Sequence, residues 1–93
     1  MNTYELTLLF PDGKDAKEKT RVVKMIEDFV KKHKGSLLKT ESWGTKNLAY
    51  PIKKQVTAEY EHFVLSLEST DQPELERFLS LDEYLLRYLV VRV

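Results

Sequence analysis

The hydrophobic period of this chain changes in a set order, and that order restricts its fold more than any single residue does. Over Tyr4–Phe10, Tyr4, Leu6, Leu8 and Phe10 share one face at period two, as a half-buried strand requires. Pro11-Asp12-Gly13 stops it. From about Asp15 to Lys34 the period becomes helical: Val22, Val23, Ile26, Phe29, Val30 and His33 line one side and charges the other. This predicts an amphipathic helix of roughly twenty residues, with Gly35 placed for a left-handed C-terminal cap.

Leu37–Trp43 and Lys46–Lys53 then read as two extended pieces of one long strand, bent at Gly44. A third strand over Tyr60–Leu67 puts Glu61, Phe63, Leu65 and Leu67 on one side and Tyr60, His62, Val64 and Ser66 on the other. The residues between these strands form a hairpin loop. Asp71 is the expected N-cap of a short helix, with Pro73 in the first turn and Glu74 completing a capping-box-like arrangement. Leu75, Phe78 and Leu79 are its expected buried stripe, and Leu85–Val93 is the last strand. Strand, helix, strand, strand, helix, strand closes into an α+β ferredoxin-like βαββαβ sandwich. Both helices lie on one face of a four-stranded antiparallel sheet, in a single domain spanning residues 1–93. The opposite face carries apolar and aromatic side chains with lysines from the hairpin, and an open face of that kind implies a partner.

Fifteen Lys plus Arg balance fifteen Asp plus Glu, so whole-molecule attraction to a polyanion is absent and any such contact is local. The charges are unevenly placed: Lys14–Lys34 is rich in bases, Lys46–Lys54 holds three lysines and no acid, and Glu68–Glu83 is rich in acids. With no cysteine there is no disulfide framework, thiolate metal site or thiol nucleophile, which suits a reducing cytosol. The apolar run Tyr84–Val91 is interrupted by Arg87 and too short to span a bilayer, and Met1–Glu5 lacks the features of a signal peptide. A cytoplasmic protein without membrane association is expected.

Candidate chemistry is sparse. His33 and His62 lie on different elements with no ligand at metal-binding spacing, so no metal site and no cofactor are expected. The three glycines stand alone at turns, which excludes a phosphate-cradling glycine loop. Acylphosphatases share this topology, but their phosphate loop would here read Phe10-Pro11-Asp12-Gly13-Lys14-Asp15, with two carboxylates and no arginine. No catalytic residue is assigned, and the Asp82-Glu83 pair reads as a solvated turn. RNA-recognition domains stack bases on a third-strand pattern of basic, glycine and aromatic residues. Glu59-Tyr60-Glu61-His62-Phe63-Val64 does not supply it.

The stretch Gly44-Thr45-Lys46-Asn47-Leu48-Ala49-Tyr50-Pro51-Ile52-Lys53 closely resembles the signature of the bacterial small-subunit ribosomal protein six family. Trp43, Lys54, Ala58 and Tyr60 around it, Tyr4-Glu5 and Pro11-Asp12 at the first strand, and Arg87 with Val90-Val91-Arg92 at the last extend the likeness over the whole chain. The resemblance implies a non-enzymatic constituent of the small ribosomal subunit in translation and subunit assembly. It further implies binding to the central domain of small-subunit rRNA together with small-subunit ribosomal protein eighteen. The isolated chain is expected to be a monomer. A ligand-sensing or homodimerising ferredoxin-like module is the alternative.

Within the signature, Gly44 is expected to bend the strand, Leu48 and Ile52 to pack inward, and Pro51 to be tolerated at a sheet edge. The residues with no packing reason, Lys46, Lys53 and Lys54 on the hairpin with Arg87 and Arg92 on the last strand, are assigned to rRNA. Relatives often carry basic residues at positions two and three, where this chain has Asn2 and Thr3, so no N-terminal RNA contact is assigned. Many relatives also extend beyond the last strand, whereas this sequence stops at Val93, which leaves two alternatives: a smaller partner interface, or a tail that lies outside this sequence.

Overall fold

The computed structural model describes residues 1–11 and 16–93. The order is β1 (Asn2–Pro11), α1 (Ala16–Lys32), β2 (Ser36–Ile52), β3 (Gln55–Leu67), α2 (Gln72–Ser80) and β4 (Arg87–Arg92). All strand pairs are antiparallel, in the spatial order β2-β3-β1-β4. The ferredoxin-like arrangement follows from the period changes, because each amphipathic helix has one sheet face on which to bury its stripe. Tyr4, Leu6, Leu8 and Phe10 from β1 and Phe63, Leu65 and Leu67 from β3 meet Val22, Ile26, Phe29 and Val30 of α1 and Leu75 and Leu79 of α2 in one core. The expected turn and phosphate-loop positions Asp12–Asp15 lie outside the described residues.

Four local expectations need correcting. The left-handed residue after α1 is Lys34, at φ 59°, and not Gly35. Lys34 N–H donates to the Lys31 carbonyl and Gly35 N–H to the Val30 carbonyl, the paired bonds of a Schellman cap with Lys34 in the left-handed position. Gly35 is needed for another reason: a Cβ there would lie 2.2 Å from the Ser66 carbonyl oxygen. Asp71 occupies the N-cap of α2 but makes no side-chain capping bond. Its carboxylate sits instead 3.2 Å from His33 Nδ1, and Glu74 lies 3.7 Å from Nε2, so tertiary contact takes both acids from their capping roles.

Phe78 is 44% exposed, not part of the buried stripe. Leu75 and Leu79 fill the core contact, and Phe78 packs edge-on against Phe29 at the rim. The hairpin also differs. β3 begins at Gln55, five residues before the expected Tyr60, and the turn is only Lys53-Lys54.

Glu61 faces the helices as its alternation requires, and at 6% exposure it needs a partner. Lys19 of α1 supplies one, pairing with both Glu61 and Glu59. The hydrogen bond to Glu61 is the main cause that holds the Lys19 ammonium above its usual 10.5, against the opposing effect of burial. A raised lysine pKa contributes stability that is complete below about pH 10.5 and is lost as pH rises through the folded value. Lys19→Met is expected to cost about 1 to 2 kcal/mol at pH 7, because Glu61 is left without its cation. The variant should lack the corresponding alkaline loss, and denaturant titrations at pH 7 and pH 11 measure both effects.

Candidate nucleic-acid interface

The face of the sheet away from the helices is built by the other half of each strand. From β1 it takes Glu5, Thr7 and Leu9, from β3 Tyr60, His62 and Val64, and from β4 Arg87, Leu89 and Val91, which the register sets opposite one another. At its centre, His62 is almost fully covered and its Nδ1 lies 3.0 Å from Thr7 Oγ1.

Gly44, at φ 76°, shifts the register between β2 and β3, and Trp43 is the extra residue of the resulting bulge. Freed from cross-strand pairing, its indole stacks on His62 with centroids 4.4 Å apart and an interplanar angle of 14°. The ring Nε1–H donates to Glu41 at 3.1 Å, which fixes the indole's direction. Lys46, two residues beyond Gly44, reaches back over this surface. Its Nζ lies 5.5 Å from the Trp43 centroid and 5.6 Å from that of Tyr60. Two aromatic faces hold this ammonium, which makes no ion pair with the described residues.

The rest of the signature forms the distal hairpin. Between the pairs Asn47↔Thr57 and Ile52↔Gln55, four residues of β2, Leu48 to Pro51, oppose Val56 alone. This bulge accommodates Pro51 on an edge strand. Leu48 and Ile52 pack with Tyr60 on a small second core of Leu9, Ala58 and Leu86. Tyr50 accepts a 2.7 Å hydrogen bond from Arg87 Nη1, with the guanidinium carbon 5.7 Å from its ring centroid. Lys53 Nζ donates to the carbonyls of Leu85 at 3.1 Å and Glu83 at 3.3 Å. Much of the signature therefore fastens the hairpin tip to the segment between α2 and β4.

The five residues assigned to rRNA are not one patch. Lys46 and Arg87 share the open face, and Lys54 stands exposed at the tip with no bond to the described residues. Lys53, which has no packing reason in the sequence, makes a structural contact with the carbonyls of Leu85 and Glu83. Arg92 pairs with Tyr4 and shares its side of β4 with Tyr88 and Val90, which pack on the main core, so it belongs to the opposite face from Arg87, and it bonds to Asn2 Oδ1. Their spacing of five carries this signal, since an odd separation reverses faces in a strand. Trp43, Tyr50 and Tyr60 were not assigned. Trp43 in particular depends on a bulge that strict alternation does not display.

The second cluster of polar residues, His33 with Asp71 and Glu74, brings three possible ligand atoms within 4.8 Å of one another. Sequence spacing does not reveal this grouping, because residues 38 or more apart meet only when α2 packs beside α1. The Asp71 and Glu74 carboxylates face opposite ring nitrogens, at 3.2 Å from Nδ1 and 3.7 Å from Nε2, so the imidazole sits between two acids at the start of α2.

A family model described as ribosomal protein S6 matches residues 3–92. The small ribosomal subunit protein bS6 of Pelagibacter ubique is 34% identical over 93 residues, covering 100% of this chain and 77% of that protein. The bS6 of Corynebacterium efficiens is 33% identical, with 100% and 98% covered. The crystal structure of 30S ribosomal protein S6 from Thermotoga maritima superposes with a TM-score of 0.88 at 22% identity, covering 99% of this chain and 87% of that one. A chemotaxis kinase CheA P2 domain shares the fold more loosely, with a TM-score of 0.59 at 17% identity, so the fold alone does not give the function. The family match over nearly the whole length does: this chain belongs to the ribosomal protein S6 family, whose members are structural constituents of the small ribosomal subunit and not enzymes.

Proposed function

We propose that this protein, associated with the ribosome in the cytoplasm, binds the central domain of small-subunit rRNA jointly with small-subunit ribosomal protein eighteen. The observation that carries this reading is the Lys46 ammonium held over Trp43 and Tyr60 on the helix-free face that also carries Arg87, with Lys54 exposed at the hairpin tip. Preset cations meet phosphates at little cost in side-chain ordering, and exposed rings offer bases a stacking surface.

The formal charge of zero argues for shared binding, since a neutral chain releases few counterions by itself. Leu89 and Val91 stand exposed on the same face next to Arg87, which suits a protein partner set alongside the RNA. The test is a filter-binding titration of a central-domain rRNA transcript at physiological salt. Micromolar or weaker binding is expected from the lone protein, with tight binding only when protein eighteen is added. Equally tight binding without the partner would refute joint recognition, and binding in neither case would refute the RNA reading. Sizing of the isolated chain should give a monomer, whereas a stable dimer would favour the homodimerising alternative.

A further inference from the structure

The two residues of the hairpin turn have φ values of 48° at Lys53 and 66° at Lys54. A two-residue loop with both residues left-handed is a type I′ turn, which normally uses Asn-Gly because a side chain with Cβ resists that conformation. Neither lysine has the short polar group that lets Asn occupy it through local hydrogen bonds. Something outside the turn therefore holds it.

The receiving surface is rigid. Asp82 accepts a hydrogen bond from Tyr84 N–H at 3.0 Å and pairs with Arg21 of α1 at 3.1 Å. Tyr84 packs on Phe10, 5.9 Å between centroids, and Leu85 is buried in the main core. The Glu83 and Leu85 carbonyls, one on either side of Tyr84, thus present two fixed acceptors, and both receive the Lys53 ammonium.

We propose that Lys53 is a positioning residue: by capturing these two carbonyls it locks the strained turn in place, leaving Lys54 and Lys46 as the hairpin cations that meet RNA phosphates. An ammonium has three donors, and two are already spent inside the protein at Lys53. The neighbouring Lys54 shares the turn but none of the contacts, so the left-handed backbone directs one lysine inward and presents the other. This assignment rests on the RNA reading above.

The test uses the full chain with protein eighteen and a central-domain rRNA transcript, together with amide hydrogen exchange on the protein alone. Lys54→Ala is expected to flatten the dependence of log affinity on log salt by about 0.9, the loss of one phosphate contact, without altering exchange. Lys53→Ala is expected to speed exchange across residues 48–56 while the core strands stay protected. It should weaken binding about three- to tenfold through the cost of reordering the tip, with the salt slope retained. Lys53→Arg, which keeps the donors, should restore both properties. If Lys53→Ala instead flattens the slope by about 0.9 and leaves hairpin exchange unchanged, Lys53 is itself a phosphate contact and the inference is wrong. It is equally wrong if Lys53→Ala changes neither exchange nor affinity. Should the wild-type pair fail to bind the transcript, the RNA reading falls, while the exchange arm still decides whether Lys53 is the latch.

Discussion

Replacing Ile26 or Leu75 by Ala is expected to destabilise the protein by about 2 to 4 kcal/mol in each case, as loss of a buried aliphatic side chain that leaves a cavity requires. Ile26 is fully buried at the centre of the α1 stripe, and Leu75 is 1% exposed on the inner side of α2. Both belong to the single core that joins the helices to β1 and β3, so neither vacated space can be filled without moving a strand or a helix. Equilibrium urea denaturation of each variant measures the effect. Losses below about 0.5 kcal/mol at both positions would mean that the helices meet the sheet by other faces, and the open face would then be wrongly assigned.

Two adjacent residues after α1 should respond in opposite directions. Gly35→Ala is expected to cost about 2 to 3 kcal/mol, because overpacking forces the neighbours apart. Its Cβ would meet the Ser66 carbonyl oxygen at 2.2 Å and Leu67 Cδ2 at 2.9 Å, so the end of β3 must move away from the helix terminus. Lys34→Gly should instead stabilise by about 0.5 to 1 kcal/mol, by relieving a left-handed conformation that a lysine disfavours. Thermal melts of both variants give the signs directly. If Gly35→Ala melts with the wild type, β3 does not approach the helix end as described. If Lys34→Gly is destabilising, the side chain contributes more there than its backbone strain costs.

These two sites show how unevenly the sequence could be read. The glycine after the helical stripe was visible, and so was a helix end. Which residue turns left-handed was not, because that depends on how tightly β3 passes the terminus. A close backbone approach excludes a side chain at Gly35 and moves the cap conformation to Lys34. Asp71 shows the same limit, since its local capping preference gives way to an imidazole delivered by another helix.

Element order, the two sheet faces and the family are legible along the chain, because periods of two and 3.6 and a contiguous signature are local properties. The buried side of Phe63, Leu65 and Leu67 and the bend at Gly44 follow from alternation and from a residue that alone tolerates that backbone freely. The contacts that the signature makes come from the fold. Lys53 and Leu85 lie 32 residues apart, and Tyr50 and Arg87 37 apart, so no spacing rule could join them. Nor could one separate Lys53, bonded to carbonyls, from the adjacent Lys54, which is exposed. Cations identical in sequence chemistry acquire different roles once bulges and register bring each to a particular neighbour, because a hydrogen bond depends on distances of a few ångströms that the fold sets.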